Sequence, residues 1–444
     1  MSNKLDIKLP NILNIILDDI ISNGYTPVLV GGCMRDYFLN ISSKDYDIEV
    51  YHIKDILILE NILKKYSNVS LVGKSFLVLK LYYEEYEFDF SLPRLDTKIS
   101  SGHRGFIVKN NSQLNFKNAF KRRDFTINSI GYDIRNNKII DEYNGLIDLN
   151  NRVLKHIDDT TFIEDPLRVY RSVQFCSRFD LKLYDKTLNL CINMVKNNQL
   201  LELSKYRIFE EWKKLLLKSN KPSIGLFLLN ELYILEHYPY LKNLLNSKLN
   251  NKYYLYITKF DNILISCDNI ATLNINNDYK KLLFMFSIIC NDLTSFEIKS
   301  FINSLTNNKK FIDDILLLVK YKLDLLHFYK QIITNEYIKR LSLLFNIEQF
   351  CQIQKIRFEI LENDIKRKSF KNIDLLINKA KYLNIYNKSF NFLLRGSDLL
   401  DIGFNEGPHF KEILLYSNDL ELVHDNISKI ELIEYIKTKF NHFL

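Results

Sequence analysis

Cysteine, glycine and proline are all scarce in this chain, and each shortage excludes something. The six cysteines are scattered at positions 33, 176, 191, 267, 290 and 351. None forms a CxxC pair, so neither a disulfide framework nor a thiolate zinc site is indicated, and a reducing cytoplasm fits. Glycine and proline number 12 and 7 in 444 residues, and alanine is sparse too, while Asn, Ile, Lys and Tyr abound. That bias is what an AT-rich genome produces and says nothing of function. Long apolar runs are missing as well. No segment approaches the ~20 residues that a membrane-spanning helix needs, and the N-terminal MSNKLDIKLP lacks the apolar core of a signal peptide. What remains, with 26% charged and 47% apolar residues, is a soluble globular protein long enough for about two to four domains. The net charge of +8 suits a polyanionic partner.

The densest information lies in residues 28–49, VLVGGCMRDYFLNISSKDYDIE. Residues 28–30 are a short apolar strand signal. Gly31 and Gly32 let the backbone turn sharply and approach a ligand with no Cβ in the way. Residues 33–39 suit a short helix whose first N–H groups face an anion. Then Asp45-Tyr46-Asp47-Ile48-Glu49-Val50 alternates strictly, which puts Asp45, Asp47 and Glu49 on one strand face and Tyr46, Ile48 and Val50 on the other. Carboxylates so close repel unless a cation sits between them. Hard, oxygen-seeking Mg²⁺ is the usual solution, and it brings nucleotide phosphates with it. A plain Gly-Gly turn with a solvated strand edge accounts for the glycines alone. The glycines, helix and D-x-D strand together point to metal-assisted phosphoryl transfer.

Up to about residue 150 the chain mixes strands and helices. Residues 53–66 have helical period, and 69–72, 77–82 and 86–92 read as strands, with Glu84-Glu85 at a hairpin. Glu87, Asp89 and Ser91 share a face, so Asp89 is either a third carboxylate beside Asp45 and Asp47 or an exposed strand residue. Residues 93–115 are polar and Gly-containing and read as a mobile loop. From about Asp158 glycine becomes rare and apolar residues recur at helical spacing almost to the end. Polar breaks fall near 218–223, 246–252, 273–278, 305–309 and 368–372. No fixed repeat period is evident.

Two further clusters carry chemistry. Lys121-Arg122-Arg123-Asp124-Phe125-Thr126-Ile127-Asn128 concentrates cations that suit a triphosphate. Asp124 and Asn128 are spaced to share a helix face, where they would bond ribose hydroxyls. A solvated basic turn would look the same. Glu164-Asp165-Pro166-Leu167-Arg168-Val169-Tyr170-Arg171 begins a helix, with Pro166 at its first position and Asp165 as N-cap. Glu164, Arg168, Arg171 and Arg178 fall on one stripe, and Val169, Val173 and Cys176 on another. An acid beside a fixed guanidinium offers an acceptor and a planar donor array, enough to read the Watson–Crick edge of a base.

Taken in order, these stretches resemble the class II tRNA nucleotidyltransferases of the polymerase-β superfamily, to which bacterial poly(A) polymerases also belong. GGCMRD followed by KDYDIEVY is similar to the family's metal-binding motif, and RRDFTINSI to its ribose-recognition motif. DEYNGLIDLNNRVLKHI (141–157) resembles the connection between head and neck. EDPLRVYRSVQFCSRF resembles the motif in which side chains act as template for the incoming base, and RIFEEWKKLL (207–216) the neck helix that follows. The ordered match covers residues 26–235. LLRGSDLLDIGFNEGPHFKEIL (393–414) resembles a segment near the C-terminus of these enzymes. Some relatives add a metal-dependent phosphohydrolase domain of the His-Asp type. Here the second half holds only His237, His327, His409, His424 and His442, and its single His-Asp pair, His424-Asp425, comes too late for the rest of such a site. That activity is expected to be absent.

The resemblance implies an α+β protein. A polymerase-β-like nucleotidyltransferase head of mixed sheet (1–150) would be followed by an all-helical neck that recognises the base (151–235) and a helical body and tail that bind tRNA (236–444). Asp45 and Asp47 would hold Mg²⁺ as the catalytic pair. Gly31, Gly32 and Arg35 would contact phosphates. Arg123, Asp124 and Asn128 would hold ribose and phosphate. Asp165 and Arg168 would pair with cytosine and then adenine, with Glu164 orienting Arg168 and Arg171 on the triphosphate. The expected reaction is template-independent addition of CCA to the tRNA 3′ end from CTP and ATP. The competing readings are a relative that adds only CC, only A or a poly(A) tail, and a non-catalytic RNA-binding protein. Intact Asp45, Asp47 and Arg168 argue against the last. The basic stretch 355–381 either tracks the tRNA backbone or is an ordinary solvated helix surface.

Overall fold

Strict alternation in DYDIEVY makes a strand with one apolar face, and the fold places that strand in the middle of its sheet. The computed structural model describes residues 5, 7–72, 77–98, 106–110, 113–248, 257–322 and 332–443. They pack as two compact units. The first is Met1–Lys242 with Lys299–Asn308, and the second is Asn243–Ile298 with Lys309–Leu444.

The first unit opens with α1 (Asn11–Ser22), β1 (Thr26–Val30), α2 (Gly32–Phe38), β2 (Asp45–Tyr51) and α3 (Ile56–Leu63). β3 (Val69–Val72), β4 (Val78–Tyr83) and β5 (Tyr86–Ser91) form a meander, with Glu84 in a left-handed conformation at the β4–β5 turn. After β6 (Arg94–Lys98), β7 (Phe106–Asn110) and α4 (Phe116–Phe120) come β8 (Gly131–Asp133) and β9 (Lys138–Ile140). The main sheet runs β3-β4-β5-β2-β1-β8-β9. β2 and β5 are parallel and the other neighbours antiparallel, so the sheet is mixed. β1 is buried along its whole length, and Val28, Val30 and Tyr51 pack with Ala119, Phe120 and Ile140.

Helices α5 (Gly145–Asn150) and α6 (Asp159–Ile163) lead to α7 (Leu167–Phe179), followed by α8 (Asp185–Lys196), α9 (Lys205–Lys218) and α10 (Pro222–Glu231). α7 is buried on most of its circumference, and α9 and α10 both pack on it. Each fully buried Leu, Val or Phe there adds ~1.5–3 kcal/mol of apolar burial. In the second unit, helices Ile347–Phe358 and Asn363–Tyr382 close over Ile338, Phe350, Ile373 and Leu376. Helices His409–Val423 and Lys429–Lys439 enclose Leu399, Ile413, Leu432 and Ile436. Among the described residues, no helix is long and apolar enough to cross a membrane.

The structure corrects several expectations. The loop expected at 93–115 contains a paired hairpin, since β6 and β7 form an antiparallel ladder from Arg94↔Asn110 to Lys98↔Phe106. Polar composition hid the strands; the rest of that loop, 99–105 and 111–112, lies outside the described residues. The break expected at 368–372 falls inside the helix Asn363–Tyr382. Ser369, Ile373, Leu376 and Ala380 line its buried side at helical spacing, and the polar residues between them face outward. The break at 246–252 lies partly outside the described residues. The neck is not wholly helical. β10 (Val153–Leu154) and β11 (Lys182–Leu183) form a parallel two-residue ladder, too short to leave a period in the sequence. Asp124 and Asn128 do not share a helix face either. Asp124 precedes a 3-10 turn, Thr126–Asn128, whose last residue is Asn128, and the two side chains still meet at 2.9 Å.

Candidate active site

β2 delivers the acidic face. Asp45 and Asp47 are exposed, whereas Glu49 is 1% exposed although it points the same way. Glu49 is the anchor of the site. Its Oε1 accepts from Arg122 Nη2 at 2.6 Å and Arg123 Nη2 at 3.0 Å, and Tyr51 donates to Oε2 at 3.1 Å. Burial alone would raise the Glu49 carboxyl pKa; the two guanidiniums and Tyr51 outweigh it and hold the group below its usual range. Asp47 is shifted the other way. Crowding by the surrounding protein raises its pKa, and Glu49 and Asp45 add to the rise against Arg123 and Arg122.

Gly31 closes this corner. It has φ +77°, and a Cβ there would lie 2.9 Å from Arg123 Nη1 and 3.0 Å from Asp47 Oδ2. The space beside Asp47 therefore exists because residue 31 has no side chain. Across the sheet, parallel pairing sets Asp89 next to Asp47. Asp89 Oδ1 is buried and accepts no hydrogen bond, with the Lys80 ammonium 3.3 Å away. Among the described residues, no three His, Cys, Asp or Glu side chains are gathered into a ready-made metal cage. The exposed Asp45 and Asp47 oxygens, the Asp89 carboxylate beside them, ion-paired with Lys80, and the gap over Gly31 do fit a hard divalent cation.

The other expected residues come together around α7. Asp124 is the hub. Its Oδ1 accepts from Asn128 Nδ2 and from the Phe125 N–H, both at 2.9 Å, and its Oδ2 from Arg171 Nε at 2.7 Å. Burial opposes its charge, but Arg171 and Arg168 overcome this and bring its pKa down to about 2. Arg35 is 5% exposed. It donates to Asp36 and to Asn128 Oδ1 at 2.7 Å, and stacks over Phe179 at 4.3 Å. Gly32 sits just above it, where a Cβ would be 3.5 Å from Arg35 Nη2. Arg168 donates to two main-chain carbonyls, Thr161 and Arg122, each at 2.6 Å. Glu164 lies within electrostatic reach of Arg168. Asp165 caps α7 by accepting from the Leu167 N–H at 3.2 Å, and it also takes Arg207 of α9 at 3.0 Å.

Three residues have partners that sequence reasoning did not find: Glu49, Arg122 and Arg207. Glu49 was visible as the third acid of the alternating face, and Arg122 as a member of the basic cluster at 121–123. Arg207 had no local signal, because its partner Asp165 is far away in the chain. His424-Asp425 has a structural role. Lys339, 2% exposed, donates to the Glu421 and His424 carbonyls and pairs with Asp425 at 3.2 Å. All six cysteines are buried free thiols.

Residues 28–155 match the family model described as the poly A polymerase head domain. That match spans the strand, the glycine turn, both aspartates and the Arg123–Asn128 turn. This segment is similar to that head domain. The chain is 37% identical over 189 residues to the "CCA-adding enzyme" of Buchnera aphidicola subsp. Baizongia pistaciae, covering 42% of this chain and 43% of that protein. It spans about half the length of the curated relatives it first matches. Two solved structures share the fold over nearly the whole chain. "The complex structure of CCA-adding enzyme with ATP" superposes with a TM-score of 0.67 at 19% identity, covering 99% of this chain and 95% of the other. "Thermotoga maritima CCA-adding enzyme complexed with tRNA_CCA" does so with 0.62 at 18%, covering 98% and 97%. The likeness in fold thus extends beyond residue 155 to the helices that follow.

Proposed function

We propose that the protein adds CCA to the 3′ end of tRNA from CTP and ATP, releasing pyrophosphate and using no nucleic-acid template. In this reading residues 1–150 are the catalytic head, 151–235 the base-recognising neck and 236–444 the tRNA-binding body and tail, working in the cytoplasm. One observation carries it. Arg122 donates to Glu49 beside the aspartates while its carbonyl holds Arg168 on α7, so the face with Asp45 and Asp47 and the head of α7 are braced together in one unit.

Asp45 and Asp47 would hold Mg²⁺, with Asp89 beside them. The cation supplies charge neutralisation at the triphosphate and a more acidic 3′-hydroxyl. The tRNA 3′-oxygen would attack the α-phosphorus as its proton passes to solvent water, the α–β P–O bond breaking and pyrophosphate departing. Arg123 and Gly31 border the phosphate path; Arg35 and Gly32 form the floor beneath it. Asp124, Asn128 and Arg171 make a pre-assembled cradle for ribose and phosphate. Asp165 offers an acceptor to the exocyclic amine shared by cytosine and adenine, and Arg168 a donor to the adjacent ring nitrogen. The two carbonyl bonds of Arg168 fix its plane and leave donors for a base.

The test is incubation of purified protein with tRNA ending at the discriminator base, with CTP and ATP singly and together, followed by sequencing of products. Ordered C, C, A addition that then stops is expected. Product halting at CC, addition of A alone, or a long A tail would replace this reading with a narrower relative. No addition at all would favour a binding protein.

A further inference from the structure

The face that carries Asp45 and Asp47 continues onto the next strands. Parallel pairing sets Glu87 beside Asp45 and Asp89 beside Asp47. On the far side of β5, antiparallel pairing sets Lys80 of β4 directly opposite Asp89. Lys80, Asp89 and Asp47 therefore form one row across three neighbouring strands. The Lys80 ammonium pairs with Glu87 and, at 3.3 Å, with Asp89 Oδ1, and its side chain is 19% exposed. The other cations near this face, Arg122 and Arg123, are bound to Glu49. Asp89 Oδ1 still lacks a hydrogen bond.

We propose that Lys80 is a positioning residue that neutralises Asp89 and so limits how tightly the Asp45–Asp47 face holds a divalent cation before nucleotide arrives. This rests on the reading of Asp45 and Asp47 as the metal-holding pair. An ammonium and a divalent cation compete for the same carboxylate. While Lys80 holds Asp89, the face carries one negative charge fewer and the Asp89 oxygen is drawn toward β4. A nucleotide supplies the missing anionic oxygens with its phosphates, which couples metal loading to substrate binding. The sign distinguishes this role from a structural one. Loss of a merely structural lysine loosens β4 against β5 and weakens cation binding, whereas loss of a competing ammonium strengthens it.

The experiment is titration of the full chain with Mn²⁺ in the absence of nucleotide, followed by electron paramagnetic resonance at pH 8. Asp47→Asn is expected to lose specific binding. Lys80→Met is expected to bind Mn²⁺ about three- to tenfold more tightly, the effect of one unscreened nearby charge. Lys80→Arg is expected to stay near wild type, and Lys80→Met with Asp89→Asn to be no tighter than wild type. Lys80→Gln serves if Lys80→Met does not fold. Unchanged or weaker binding by Lys80→Met and Lys80→Gln, with Asp47→Asn inactive in binding, overturns the role of Lys80 alone. Full Mn²⁺ affinity in Asp47→Asn overturns the metal-face reading and the inference with it.

Discussion

Individual side chains in this site serve two masters, and that makes their mutants diagnostic. Asp165 caps α7 and also receives Arg207. A cap alone accounts for stability, typically ~1 kcal/mol, but not for base choice. Arg168→Ala and Asp165→Ala are therefore expected to accept UTP and GTP more readily, because an unpaired buried polar group costs ~1–3 kcal/mol of discrimination. Incorporation assays with all four nucleotides measure this; wild-type preference with only a lowered melting temperature would return both residues to a structural role. Asp45→Ala and Asp47→Ala are expected to reduce turnover with CTP and ATP to background while circular dichroism stays native. Substantial activity at saturating Mg²⁺ would misplace the metal. Asp124 supplies a pH signature. Its folded pKa, about 2, lies below the ordinary 3.8, so its stabilisation is full above pH ~4 and is lost as pH falls toward 2, a contribution of about 2 kcal/mol. Urea unfolding is expected to show that acid-side loss in wild type and a smaller one in Asp124→Asn.

Elements are held by a few contacts that tolerate no extra atom. Gly145 opens α5, where a Cβ would lie 2.2 Å from the Thr126 carbonyl oxygen and 2.9 Å from Ile130 Cγ1. The acceptor is main chain and cannot swing away. Thr126 also opens the turn that carries Asn128, so the α5 contact supports the Asp124–Asn128 pair. Gly145→Ala is expected to destabilise by ~1–3 kcal/mol, the range for overpacking, and to lower activity through the displaced turn. Thermal unfolding and a rate measurement together check it; a silent substitution would mean that α5 shifts freely. Most of this element-level structure was legible beforehand. α2, β2, the β4–β5 hairpin and α7 all follow the expected periods, whereas β6–β7 and the 368–372 region did not. In both failures polar composition was taken for irregular backbone, although a strand or helix with one solvated face is polar by necessity.

For the whole molecule, the basic stretch at 355–381 is where tRNA binding by the second unit is open to test. It spans the end of one helix and most of the next, and its cations are not equivalent. Arg357 is 3% exposed, Lys355 pairs with Asp374, and Lys366 pairs with Glu359, while Arg367 and Lys371 are exposed. The outward side of the helix Asn363–Tyr382 is the part of this stretch that would meet a polyanion. Charge reversal of Lys366, Arg367 and Lys368 is expected to weaken tRNA binding and to lower the slope of log affinity against log salt by roughly 0.9 per lost phosphate contact. Filter binding across a salt series measures both. An unchanged slope would make the run a solvated helix surface.

The sequence by itself determined the alternating β2 face, the glycine turn before it, and the acid–arginine stripe at the head of α7. These are local patterns, set by the periods of strand and helix. Tertiary structure alone decided which members of those patterns meet. Glu49, Asp45 and Asp47 look equivalent along the strand, yet Glu49 is buried under Arg122 and Arg123 while the aspartates stay open. Asp165 looks like a cap until Arg207 arrives from α9, and Asp89 looks like an exposed strand residue until pairing puts it between Asp47 and Lys80. The reason is physical: burial and charge pairing depend on neighbours brought in from far along the chain, and no local period records them.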